Sequence, residues 1–190
     1  MDAFNMWESN IVLFVQENLR FDFLDPIMQF ITSLGDGGIL PIAVCILLLL
    51  FKKTRKVGVT ASLSLALEAI LINLTIKKLV GRTRPYVVNE TIEYITTRPS
   101  DNSFPSGHTG CVLAVASVLF YMMPKKIGIP AMIIASLVGI SRLYVGVHYP
   151  TDIIGGFIIG MITGFIAKLI VEKVCEKRAK KIHNLTERTK

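Results

Sequence analysis

Apolar residues come in long blocks in this chain, and the charges are confined largely to the gaps between them. The blocks run over 38–51, 57–79, 107–123, 127–144 and 151–172. A helix crosses a bilayer with ~20 apolar residues at about 1.5 Å each, so runs of this kind predict membrane-spanning helices. The first block ends at Lys52, Lys53, Arg55 and Lys56, and the second closes on Lys77 and Lys78. Pro124-Lys125-Lys126 separates the third from the fourth, and a polar segment over 80–105 with Pro85, Pro99 and Pro105 precedes the third.

Upstream the pattern changes. Over 4–19, Phe4, Trp7, Ile11, Val12, Phe14 and Val15 share one broad helical face, with Glu8, Asn10, Glu17 and Asn18 elsewhere. That spacing predicts an amphipathic helix at the membrane interface, anchored by Trp7. A second helical piece over 24–34 reaches only about half of a bilayer core and spans it only if its flanks lengthen it. The beginning, Met-Asp-Ala-Phe-Asn-Met-Trp-Glu, lacks a basic segment followed by an apolar core, so no cleaved signal peptide is expected. Past Glu172 the chain alternates Lys, Arg and Glu, the pattern of a solvated helical extension.

Composition agrees with the blocks. Apolar residues make up 52% of the chain against 18% charged, and the mean hydropathy is +0.55. The fold class expected is therefore all-α, a polytopic membrane bundle forming one domain over 1–190. Its parts are short or interfacial helices over 4–34, a transmembrane core over 38–172 and a basic cytoplasmic tail over 173–190. The net charge of +7 does not point to nucleic acid, because the basic residues cluster beside the spans. When the spans are threaded alternately, Lys52–Lys56, Lys125-Lys126 and the tail share one side, which the positive-inside rule makes cytoplasmic. The segments 81–105 and 141–152 then face outward. Cys45, Cys111 and Cys175 have no metal-ligand spacing, and the first two read as small buried thiols.

The outward segments carry the chemistry. In Ser141-Arg142-Leu143-Tyr144-Val145-Gly146-Val147-His148-Tyr149-Pro150-Thr151-Asp152, His148 and Asp152 are four apart. On a helix a carboxylate there can hold an imidazole, and Arg142 supplies a planar fork for phosphate oxygens. Lys77 stands seven residues before Arg84-Pro85, and Pro105-Ser106-Gly107-His108 opens an apolar helix. Lys77, Arg84 and Arg142 can neutralise a phosphate and its five-coordinate transition state. Ser106 and Gly107 place backbone N–H groups of a helix N-terminus against phosphate oxygens.

Together the three stretches match, in order and spacing, the signature of the type-2 phosphatidate phosphatase family, whose active site is similar to those of vanadium haloperoxidases and bacterial acid phosphatases. The resemblance covers 77–152 and implies a bundle of about six helices with its catalytic core within 38–172. It implies that His148 is the nucleophile, oriented by Asp152, and that His108 is the general acid and then the base. Lys77, Arg84, Ser106, Gly107 and Arg142 would bind phosphate. No cofactor and no metal are expected, and the partners implied are a lipid phosphate substrate and the bilayer. The substrate favoured is undecaprenyl diphosphate, as in small bacterial members. The alternatives are phosphatidylglycerophosphate or phosphatidate, a lipid-binding scaffold without catalysis, and haloperoxidase chemistry.

Other residues read more plainly. Thr97-Arg98-Pro99 repeats Thr83-Arg84-Pro85 but has Thr91 where the signature needs lysine, so Arg98 is a loop residue. Lys78 reads as a snorkelling lysine, Ser141 as a local hydrogen bonder and His183 as inert. Glu68 lies mid-span, where a carboxyl should face the bundle interior, and no motif assigns it.

Overall fold

The structure is a computed structural model and describes residues 2–188. Its elements are α1 (Asp2–Leu19), α2 (Asp25–Ser33), a 3-10 turn (Asp36–Gly38), α3 (Ile39–Leu50), α4 (Arg55–Ala69), a π-helical stretch (Ile70–Ile76), α5 (Lys77–Val80), α6 (Pro85–Val88), α7 (Gly107–Met122), α8 (Lys125–Tyr144) and α9 (Pro150–Arg188). Among the described residues the protein is all-helical. Three helical runs, 55–88, 125–144 and 150–187, are long and apolar enough to cross a membrane, and α7 is a shorter apolar helix. Ile133, Ile134, Ile140, Ile154, Ile158, Ile162 and Phe165 are exposed on α8 and α9, as a lipid-facing surface requires.

The short piece over 24–34 finds its missing length in α3. Helices α2 and α3 together have the hydropathy of a span, broken by a 42° bend. The break falls at Gly37 and Gly38, both at positive φ (56° and 68°), a backbone region that costs glycine nothing.

Small residues on α9 set the central packing. A Cβ at Gly156 would lie 2.6 Å from Ser106 O, one at Gly160 2.7 Å from the Leu113 Cβ, and one at Gly164 would overlap Ser117 Oγ. The contacts advance in the same direction on both helices, so α7 and α9 run parallel with their backbones nearly touching, the approach that small residues allow in membranes. Helix α4 runs antiparallel to α7: Ser64 Oγ donates to Ala114 O (2.8 Å), while Glu68 faces Gly110. At one end of the bundle lie the N-termini of α7 and α9 and the C-terminal ends of α5 and α8.

Helix α1 lies against that end and departs from the expected orientation. Phe4, Trp7 and Phe14 are exposed, but Glu8, Ser9 and Asn5 are buried along with Val12. Asn10, Glu17 and Asn18 stay exposed, and Glu8 turns inward because the bundle presents Arg82 there for it to satisfy. The tail is a helical extension, as expected, with Lys173–Glu187 exposed.

Candidate active site

Helix α9 begins at Pro150, whose ring pre-sets the first helical φ, and this places Asp152 in the first turn. Asp152 is fully buried, and both oxygens are engaged. Oδ2 accepts from Ser103 Oγ (2.5 Å), from Tyr149 N (3.0 Å) and from His148, whose Nδ1 is 3.1 Å away. Oδ1 accepts from Arg82 Nη1 at 2.7 Å. With Nδ1 donating to the carboxylate, His148 keeps a lone pair on Nε2. Arg84 Nη1 stands 3.3 Å from that nitrogen and also donates to Val147 O (2.8 Å). Burial, helped by the charges of Arg84 and Arg142 and opposed by Asp152, pushes the His148 imidazole down to about 3. It is therefore neutral at ordinary pH.

Asp101 bridges two of the expected phosphate-binding cations. It pairs with Lys77, and its Oδ1 accepts from Arg84 Nη2 at 2.5 Å. Partial burial raises its carboxyl, but Lys77 and Arg84 outweigh that and hold it at about 2. About half of its side chain is exposed, so it sits over the cations from the solvent side. Arg142 is buried, donates from Nη1 to Thr32 Oγ1 (2.7 Å) and has an Nε with no partner.

On the other wall, Ser106 caps α7, its Oγ accepting from Thr109 N (3.4 Å), while its own N–H donates to Asp152 O (3.0 Å). The cap thereby ties the α7 start to α9. His108, one turn in, has Nε2 2.7 Å from Asp36 Oδ1. Gly35 leaves room for that ring, since a Cβ there would stand 2.9 Å from His108 Cδ2. Lys77, Asp101, Gly107 and His108 line one cavity of about 310 Å³, whose far side is Ile42, Leu65, Glu68, Ala69 and Asn73.

A buried neutral imidazole oriented by a carboxylate, with the Arg84 guanidinium beside its free nitrogen, has the chemistry that nucleophilic attack on an anionic phosphorus requires. Residues 57–175 match the PAP2 superfamily. The chain belongs to the PAP2 superfamily. An undecaprenyl-diphosphatase of Sulfolobus acidocaldarius is 36% identical over 144 residues, 76% of this chain and 69% of that protein. Phosphatidylglycerophosphatase B of Bacillus subtilis is 34% identical over 175 residues, 85% of this chain and 82% of that one. The solved structure of a transmembrane PAP2-type phosphatidylglycerolphosphate phosphatase from Bacillus subtilis superimposes with a TM-score of 0.74 at 29% identity, covering 92% of this chain and 89% of that one. As a PAP2 member with phosphatase relatives, the protein is a membrane-embedded phosphohydrolase.

The PAP2 signature residues fall at one end of the bundle. Lys77 is buried and Lys78 exposed. Arg98 lies over the rings of Tyr86 (5.2 Å) and Tyr94 (5.9 Å), and Ser141 bonds locally to Val138 O (2.7 Å). Sequence reasoning missed the partners. Arg82 contacts Asp152, Glu8, Asn5 Oδ1 (2.9 Å) and Thr151 Oγ1 (2.7 Å). Glu8 in turn accepts from Thr151 N (3.0 Å) and Oγ1 (2.6 Å). Asp101, Ser103 and Asp36 were also missed. Two signals were present: an aspartate set among three glycines at 35–38, and the charges packed just before Phe104-Pro105.

Proposed function

We propose that the protein removes the terminal phosphate of a membrane lipid through a phosphohistidine on His148, with undecaprenyl diphosphate as the favoured substrate. The observation that carries the reading is the buried His148–Asp152 pair with Arg84 at the free Nε2. In this scheme Nε2 attacks phosphorus and the bond from phosphorus to the leaving oxygen breaks. Asp152 and its donors stabilise the cation that forms on His148. Lys77, Arg84, Arg142 and the N–H groups at Ser106-Gly107 take the charge on the equatorial oxygens. His108 delivers a proton to the leaving oxygen, its ring held in place by Asp36. In the second half His108 takes a proton from water, the oxygen attacks phosphorus, and the Nε2–phosphorus bond breaks to release inorganic phosphate. All the charge neutralisation comes from side chains and backbone, so the reaction needs no metal.

The cavity continues toward Ile42, Leu65 and Ala69 on α3 and α4, which suits a hydrocarbon tail arriving sideways from the bilayer. The basic connections Lys52–Lys56 and Lys125-Lys126 lie at the ends of α3 and α7 away from the site, so the positive-inside rule turns the site away from the cytoplasm. Phosphatidylglycerophosphate is the second reading, favoured by the extent of the match to phosphatidylglycerophosphatase B.

The test is phosphate release by the purified protein from undecaprenyl diphosphate, phosphatidylglycerophosphate and phosphatidate in detergent, with chelator and with vanadate. Turnover should survive chelation and stop with vanadate, which mimics five-coordinate phosphorus. A trapped phosphoenzyme should be acid-labile and absent in His148→Ala. Phosphate release that proceeds unchanged in His148→Ala would overturn the reading.

A further inference from the structure

Among the described residues Glu68 is the one buried acidic residue outside the His148 network, and the proposed chemistry leaves it without a task. It is 1% exposed, and its Oε1 has no hydrogen-bond partner. It lines the cavity that holds Lys77, Gly107 and His108. The opposing helix is cut away for it: any Cβ at Gly110 would overlap Glu68 Oε1. Asn73, one turn and a half further along, lines the same cavity, and its Oδ1 would lie 3.4 Å from a Cβ at Gly107. Leu65, Glu68, Ala69, Asn73 and Lys77 thus form a single wall that turns from apolar to polar to cationic as it nears the phosphate site. The π-helical stretch Ile70–Ile76 lies between Glu68 and Lys77, and π-helical insertions recur at functional sites.

A lipid whose headgroup ended at the scissile phosphate would leave only hydrocarbon beside Glu68. An unpartnered carboxyl beside hydrocarbon is costly, and a cavity lined by it and by Asn73 favours a polar occupant. We propose that Glu68 and Asn73 form a second polar subsite that hydrogen-bonds a second phosphate, lying between the scissile phosphate and the hydrocarbon of the substrate. This rests on the phosphatase reading above. The inner phosphate of a prenyl diphosphate and the phosphodiester of phosphatidylglycerophosphate share that chemistry, and phosphatidate lacks it. Only a donor attracts an anion, so Glu68 serves as the neutral acid and Asn73 through its amide N–H. Both are specificity-determining residues, and neither moves a proton to the reacting atoms.

The experiment compares Glu68→Leu, Glu68→Gln and Asn73→Ala with the unaltered protein on three substrates: undecaprenyl diphosphate, phosphatidylglycerophosphate and phosphatidate. A hydrogen bond to a charged group is worth about 1.5–3 kcal/mol, so Glu68→Leu should lower kcat/KM on a two-phosphate lipid by roughly 10- to 150-fold. Phosphatidate hydrolysis should stay within about threefold, which also shows that the variant is folded. Glu68→Gln keeps a donor and should stay near the unaltered protein on all three, and Asn73→Ala should share the selectivity of Glu68→Leu. A loss on the diphosphate alone assigns the inner phosphate, and a loss on phosphatidylglycerophosphate alone assigns the phosphodiester. Equal losses on all three lipids, or no loss on either two-phosphate lipid, overturn the subsite while leaving the phosphatase reading intact. No phosphate release from any lipid by the unaltered protein overturns that reading and the subsite with it.

Discussion

Arg82 sits between two carboxylates in a buried line, Glu8–Arg82–Asp152, that ends on the neutral His148. Replacing it with leucine strands two carboxylates away from water. Deleting one partner of a buried ion pair costs about 3–5 kcal/mol. The lower part of that range applies here, because Asp152 keeps three donors on Oδ2 and Glu8 keeps two from Thr151. At roughly 2–4 °C per kcal/mol for a chain of this size, Arg82→Leu should lower Tm by about 6–12 °C. The assay is thermal unfolding in detergent, followed by the reactivity of the buried thiols Cys45 and Cys111. Adding Glu8→Gln to Arg82→Leu removes one of the stranded charges. It should therefore restore about 1–2 kcal/mol, within the coupling expected of contacting residues. Strictly additive losses in the double variant would refute the idea that Arg82 balances both carboxylates. An Arg82→Leu protein as stable as the original would do the same.

Five further outcomes are expected. His148→Ala should abolish turnover on every phosphate substrate. His108→Ala should lose on the order of 10²–10⁴ on a lipid, yet give a burst of nitrophenolate from an aryl phosphate, whose leaving group needs no proton; a burst suppressed as strongly as lipid turnover would reverse that assignment. Because His148 is held near 3, single-turnover phosphorylation by an aryl phosphate, whose leaving group needs no proton from His108, should stay flat from pH 7 to 5, where an imidazole at the usual 6.5 would lose about 25-fold. The folded value lies below the unfolded one, so the contribution of His148 to stability is complete above about 6.5 and is lost as pH falls toward 3. Asp101→Asn uncovers Lys77 and Arg84 and should tighten vanadate inhibition by roughly tenfold, as loss of one charged hydrogen bond allows; weaker inhibition would show that Asp101 helps to hold the anion. A cysteine at Asn89 should react with an impermeant thiol reagent in intact cells, with Cys175 protected until the membrane is opened, and the opposite pattern would invert the orientation.

Much of this was legible in the chain because the relevant information is local. Long apolar blocks read as helices, and His148 and Asp152 declare their pairing through i,i+4 spacing. What stayed hidden depends on partners far apart in sequence. By spacing alone Glu8 falls off the apolar face of an amphipathic helix, with Asn10, Glu17 and Asn18. Its partner Arg82 lies 74 residues away and turns it inward. Asp101 and Asp36 lie far in sequence from Lys77, Arg84 and His108, their partners, and the joining of α2 to α3 across Gly37-Gly38 needed the three-dimensional bend.

The glycine seam between α7 and α9 fixes which parts of this protein can move. Ser106 and His108 ride on the start of one helix and Asp152 on the start of its parallel neighbour, and the two backbones are locked at touching distance with no side chain to act as a bearing. The machinery for breaking the phosphate bond is thus an anvil. The opposite wall turns at Gly37-Gly38 and meets the site through the Asp36–His108 contact and the Thr32–Arg142 hydrogen bond. Two expected site residues, His108 and Arg142, are thereby tied to a segment that the seam does not hold, so substitutions along α2 and the turn can shift their alignment while leaving the tie between Ser106 and Asp152 intact.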